Sequence, residues 1–239
     1  GAPITATGGL LLIDAVKEVE VKVRIGDPVM LPETVMVIFN DGTTREMAVI
    51  WEEHDYAAMS KAGPQDYLVY GTVTAEGQTV TALCKLYVVE KNYLDNPSFE
   101  EADLSMWKVN NVNNVTTELG VLDKMADAHS GTKSLHFYSR NNVHFTVEQE
   151  VKNLSPGRYN FSLFIQGGDA KDQEIYIYAV ADGVTYREDT DIDGWRRFRN
   201  PIIRDISVES GTIIVGASVK CGPGAWGTLD DFLLAPLDE

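Results

Sequence analysis

Glu174-Ile175-Tyr176-Ile177-Tyr178-Ala179-Val180 carries the fold class of this chain, because its β-branched and aromatic side chains recur at period two and not at helical spacing. The same alternation recurs at Val19-Glu20-Val21-Lys22-Val23-Arg24-Ile25 and at Thr212-Ile213-Ile214-Val215-Gly216-Ala217-Ser218-Val219. Helical periodicity is nearly missing. Turn signals interrupt these runs at Gly26-Asp27-Pro28, Asn40-Asp41-Gly42, Ala62-Gly63-Pro64, Ser155-Pro156-Gly157, Gly167-Gly168-Asp169, Ala181-Asp182-Gly183 and Cys221-Gly222-Pro223-Gly224. Short strands with turns at that spacing predict an all-β chain built of antiparallel sandwiches.

At 239 residues the chain is long enough for two modest domains, each with its own core. A closing strand over 83–90 gives way to the polar Asn92-Tyr93-Leu94-Asp95-Asn96-Pro97, which sets one domain at 14–91 and a second at 92–239. Lys plus Arg number 20 against 36 Asp plus Glu, a formal charge of −16. Apart from the short Arg196, Arg197, Arg199 patch there is no basic cluster, so neither nucleic acid nor an anionic membrane is a fitting partner. With 44% apolar residues the chain should fold rather than stay a disordered acidic tail. Cys84 and Cys221 lie in different predicted domains and read as small buried hydrophobes. Zinc spacings and a Gly-rich phosphate loop are both missing from the sequence. The four histidines read as structural or solvated, since nothing beside them in sequence completes a triad or ligand set.

The first block reads as seven short strands. Leu31-Pro32-Glu33-Thr34-Val35, Asp41-Gly42, Val49-Ile50-Trp51, Gly63, Tyr67 and Tyr70-Gly71-Thr72-Val73 resemble the bacterial immunoglobulin-like domains found between modules of secreted and surface enzymes. The resemblance implies an Ig-like β-sandwich acting as a spacer. Trp51 is expected to plug its core.

In the second block the order of features is more telling. Asn96-Pro97-Ser98-Phe99-Glu100-Glu101 is followed by Trp107, Gly131-Thr132-Lys133-Ser134-Leu135 and Ser155-Pro156-Gly157-Arg158-Tyr159-Asn160-Phe161, and the block closes on Trp226-Gly227-Thr228-Leu229-Asp230-Asp231-Phe232. Together these resemble a galactose-binding-like β-jelly-roll. The Gly167-Gly168-Asp169 turn and the closing Trp226 to Phe232 run are most similar to carbohydrate-binding module family 61, whose known ligand is β-1,4-galactan.

A calcium site is expected from two directions. Glu100 follows the entry strand and Asp230 precedes the last one, so pairing of the first and last strands would bring hard carboxylate oxygens to one edge. The resemblance implies a structural Ca2+ held by Glu100, by carbonyls near Ser98 and Lys133, and by the Asp230 side chain. Asp231 should face the other way at period two.

Sugar recognition needs a flat ring and a few fixed polar groups, and galactose leaves one face as a patch of C–H groups on which Trp or Tyr can stack. Trp107 and Trp195 fall where packing aromatics are expected. Trp226 differs, lying in a Gly-Pro-Gly-Ala-Trp-Gly stretch suited to a loop that presents a ring to solvent. Strand phase puts Tyr159, Phe161, Leu163 and Ile165 on the apolar face and Gln166 on the other, near the Gly-Gly-Asp turn. Gln166, Asp169 and the Arg140-Asn141-Asn142 turn are therefore the expected polar partners of Trp226.

No helix-strand repeat and no isolated carboxylate pair supports glycosidase chemistry. The sequence reads as a non-catalytic, monomeric binding fragment of a secreted or cell-surface bacterial glycoside hydrolase, an endo-galactanase by the resemblance, held near its polysaccharide by the module. The competing readings are a structural or adhesive surface module, and a module for another plant polysaccharide.

Overall fold

The computed structural model describes residues 9–237, which divide into two compact units at Lys91/Asn92. The first holds strands β1 (Ile13–Val16), β2 (Val19–Arg24), β3 (Thr34–Phe39), β4 (Thr44–Ala48), β5 (Ile50–Trp51), β6 (Gln65–Ala75) and β7 (Gln78–Val89), with a short helix α1 (Tyr56–Lys61) before β6. Two sheets form, ordered β1-β3-β4 and β2-β7-β6-β5, and β2 runs parallel to β7. Alternation is visible in β6, where Val69, Gly71, Val73 and Ala75 are buried and the residues between them exposed. Trp51 is half-buried, packs against both apolar clusters of the unit and donates its Nε1–H to the Pro32 carbonyl at 2.8 Å. Helix α1, which no periodicity announced, is capped by Asp55, whose carboxylate accepts from the Ala58 amide.

The second unit begins with β8 (Lys108–Asn111), a single 3-10 turn, β9 (Glu118–Asp123), β10 (Lys133–Tyr138), β11 (Val143–Val151) and β12 (Gly157–Gly168). It continues with β13 (Glu174–Ala181), β14 (Val184–Thr190), β15 (Gly194–Arg199), β16 (Ile202–Val208), β17 (Ile213–Cys221) and β18 (Trp226–Pro236). One sheet is ordered β14-β13-β17-β11-β8; the other is β15-β12-β18-β10-β9, with β16 also on β12. Every pairing in this unit is antiparallel, as the turn spacing requires. Between the sheets lies one continuous core, in which Phe137, Phe145, Phe161, Leu163, Ile177 and Phe232 are fully buried.

The entry segment is tied to the last strand. Asn92 Nδ2 donates to the Phe232 carbonyl, the Leu234 amide to Asn92 Oδ1, and the Phe232 amide to the Pro97 carbonyl. Trp107 is buried, tilted against Phe99 and edge-on to Phe232, with its Nε1–H on the Asn96 carbonyl. Cys84 and Cys221 are free thiols buried in separate units. No helix among the described residues is long and apolar enough to cross a membrane.

Candidate functional site

At the open end of β12 the chain reads Gly167-Gly168, and register sets Gly167 opposite Gly227 and Gly168 opposite Trp226. A Cβ at Gly168 would lie 2.8 Å from Trp226 Cζ2, so the indole rests directly on that glycine. Its Nε1–H donates to Asp169 Oδ2 at 2.8 Å. Asp169 turns the chain with a φ of +53°. Floor, partner and backbone thus fix a half-buried ring in one orientation, a condition for stacking at low entropic cost. Tyr138 of β10 stands opposite Trp226 on its other side and shares its outward face.

A Cβ at Gly167 would meet the Trp226 carbonyl at 2.2 Å and Ile192 Cδ1 at 2.9 Å, so glycine here lets the neighbouring chains close in. Gly194 of β15 pairs with Gly167, and Trp195 follows it. Contrary to the packing role expected for it, Trp195 is 57% exposed and donates its Nε1–H to Asp127 Oδ1 at 2.9 Å. Its sequence context was a clue. Asp191, Asp193, Arg196 and Arg197 surround it with charge, which no core position tolerates. Burial pulls the Asp127 carboxyl upward, yet the hydrogen bonds and charge of Lys124 and the Trp195 donor hold it below the usual carboxylate range. Arg196 is exposed, at a φ of +57°, and donates to the Ala126 carbonyl.

Gln166 is the clearest correction. Its strand phase is as expected, but it is fully buried, because the 124–130 turn and β15 cover the outer face at that point. Its Nε2 donates to Thr228 Oγ1 at 2.8 Å and its Oε1 accepts from the Arg196 amide at 2.9 Å. The carboxamide is consumed in holding β15 in place and is not offered to a ligand. Arg140 and Asn141 are exposed on the turn after β10, which the Ser139 main chain bonds to Gly224 and Ala225, just before Trp226. Asn142 lines a separate open hollow with His144 and Lys220, of which Trp226 is no part.

The expected metal residues gather around the 129–133 turn. Glu100 Oε1 accepts from the Thr132 and Lys133 amides, and Asp230 Oδ2 from those of His129 and Ser130. Ser98 Oγ and Ser130 Oγ donate to Asp231 Oδ1, and Asp231 Oδ2 contacts the His129 ring, which stacks on Phe164. Asp231 therefore belongs to the cluster instead of facing away, its φ of +46° breaking the strand's alternation. Asp230 is fully buried with backbone amides and no cationic side chain as partners. Burial and the neighbouring Asp231 charge push its carboxyl up to about 7. Among the described residues no three His, Cys, Asp or Glu side chains converge as a metal site, and main-chain amides already bond Glu100 Oε1 and both Asp230 oxygens.

Residues 16–77 match the model of a bacterial Ig-like domain, group 4. No curated protein sequence matches the chain. Among solved structures, the TmCBM61 module in complex with beta-1,4-galactotriose is 30% identical at a TM-score of 0.57, over 62% of this chain and 100% of that one. The chain belongs to carbohydrate-binding module family 61. Other matches to this family 61 chain include the enzymatically active domain of bacteriophage CBA120 tailspike protein 4, at 12% identity, TM-score 0.47 and 63% and 22% coverage. The CBM22-1 xylan-binding domain of Paenibacillus barcinonensis Xyn10C matches at 13%, TM-score 0.41, and 59% and 92% coverage.

Proposed function

We propose that the family 61 module binds β-1,4-galactan, with Trp226 as the stacking platform and Asp169, Arg140 and Asn141 as hydrogen-bonding neighbours. The observation that carries this reading is the Trp226 ring lying on Gly168 and held by Asp169, a planar apolar surface with a carboxylate at its rim. The exposed Trp195 extends the aromatic surface of the same sheet end. The galactotriose held by the similar TmCBM61 supports galactose units as the ligand. Stacking covers the C–H face of a galactose ring, while carboxylate and guanidinium groups meet the hydroxyls on its edge. One fixed ring and a few solvent-competed hydrogen bonds set the affinity on the order of 1 to 100 μM, or roughly 5 to 8 kcal/mol.

On the family resemblance, Glu100 and Asp230, with Ser98 and the Lys133 carbonyl, would hold a structural calcium, which when bound supplies the positive charge that the buried Asp230 carboxylate lacks. The chain's own residues lock the 129–133 turn to β18. The module is read as a monomer within a secreted bacterial glycoside hydrolase, an endo-galactanase, that it keeps near its substrate.

Isothermal titration of the whole chain in calcium buffer with β-1,4-galactan, cellulose oligosaccharides and xylan tests this. Saturable heat with galactan alone is expected. Silence with galactan alongside binding to another glycan would overturn the specificity, and silence with all three would hand the chain to a structural role.

A further inference from the structure

The outer face of the sheet that does not carry Trp226 holds a second groove. Along β11, His144, Thr146 and Glu148 point outward at alternate positions, and register sets Lys220, Ser218 and Gly216 of β17 beside them. Tyr176 and Tyr178 of β13 continue the same rows, next to Ser218 and Gly216. Two open hollows follow this line. One of about 330 Å3 lies at the end with His144 and Lys220, and one of about 380 Å3 lies mid-sheet between Glu148, Tyr178 and Arg187. From His144 to Glu148 the face runs roughly 13 Å along the strand, enough for more than one sugar ring.

The mid-sheet hollow is built, not incidental. Tyr178 Oη donates to Glu148 Oε2 at 2.7 Å. A Cβ at Gly216 would lie 2.8 Å from both Tyr178 Oη and Glu148 Cβ, so only glycine leaves room beneath that pair. The Arg187 guanidinium lies 3.6 Å over the Tyr176 ring and is oriented by Asp189 at 2.8 Å and Glu174 at 3.5 Å. Acceptor and donor therefore stand on opposite walls, Glu148 on β11 with Thr146 and Arg187 on β14 with Thr185. That is the complement of vicinal hydroxyls, each of which both gives and takes a hydrogen bond. The charges are balanced locally: Arg187 by Asp189 and Glu174, Glu148 by Lys108 at 3.9 Å. A neutral ligand fits such a wall better than an ion.

We propose that this groove is a second saccharide site, taking a short neutral oligosaccharide laid along β11 and β17, with Glu148, Tyr178 and Arg187 bonding its hydroxyls. The proposal rests on the chain being a saccharide-binding module but not on Trp226, which lies on the other sheet.

Titrating the full chain, 15N-labelled, with β-1,4-galactotriose, xylotriose and cellotriose separates the two sites by amide shifts. Saturable shifts at Thr146, Tyr178 and Gly216 with at least one trisaccharide are expected, and they should persist in Trp226→Ala. Tyr178→Phe, which keeps the ring, should weaken them about tenfold, and Arg187→Met supplies a second variant should the first misfold. Shifts confined to Gly168, Asp169 and Trp195 would overturn the groove and leave the Trp226 site standing. Groove shifts without Trp226 shifts would support the groove and sink the platform. Silence everywhere with all three sugars would overturn both.

Discussion

Trp226 and Gly168 act as one unit, since the indole uses the glycine as its floor and Asp169 as its peg. Trp226→Ala is expected to weaken galactan binding at least 30-fold by titration calorimetry, about 2 kcal/mol, with little change in Tm because the ring stands at the rim of the sheet. Retained affinity would move the platform to Trp195. Gln166 acts through structure instead. Gln166→Leu leaves the Arg196 amide without its acceptor and Thr228 without its donor, a cost of about 1 to 3 kcal/mol that chemical denaturation would read. Asp230 adds a pH dependence. Without a cation its folded carboxyl titrates near 7 against 3.8 ordinarily, so between those values the folded chain holds a proton that the unfolded chain has released. Its contribution to stability is therefore full below about pH 4 and is lost as pH rises to 7. In chelator, the Tm of the natural chain should fall relative to Asp230→Asn between pH 5 and 7.5, and calcium at pH 7.5 should restore it. Parallel curves, with or without calcium, would sink both the burial argument and the metal site.

At the scale of elements, β12 and β18 are the pair on which the candidate site depends, and their two glycines divide the labour. An added Cβ at Gly167 meets backbone at 2.2 Å and 2.8 Å, whereas at Gly168 it meets only the Trp226 ring. Gly167→Ala should therefore lower stability by about 1 to 3 kcal/mol or more, since no rotamer change relieves a backbone clash. Gly168→Ala should keep most of the stability and lose binding as the ring is lifted. Thermal melts and calorimetry on the two variants separate these effects. Equal stability loss in both would mean that the indole is as rigidly packed as the strands. The strands themselves were legible from alternation, as Tyr159, Phe161, Leu163 and Ile165 facing the core illustrate. The covering of Gln166 was not, because the 124–130 turn and β15 that bury it are distant in sequence.

For the whole molecule, the division at Lys91/Asn92 leaves all the proposed sugar-binding residues in the second unit. Residues 92–239 expressed alone should bind galactan within about twofold of the full chain, provided Asn92 is kept, since its carboxamide bonds β18 at Phe232 and Leu234. A large loss on removing the first unit would assign that unit a share of the binding. The formal charge of −16 has no role toward a neutral glycan, so affinity should hold within about twofold between 50 and 500 mM NaCl. A steep salt dependence would point to a charged ligand.

Alternating side chains and spaced turns determined the all-β class, and the ordered motifs carried the resemblance to the family, because strand period and turn chemistry are local properties of the chain. Trp226, expected on a glycine-flanked loop, instead opens β18 half-buried between Gly168 and Tyr138, a pairing its sequence neighbours did not show. Only the tertiary structure exposed Trp195, buried Gln166, drew Asp231 into the 129–133 cluster and aligned Glu148, Gly216 and Tyr178 across three strands. Each of these depends on which distant segment covers or pairs with which, and period-two alternation gives a side chain's face without giving what lies over it.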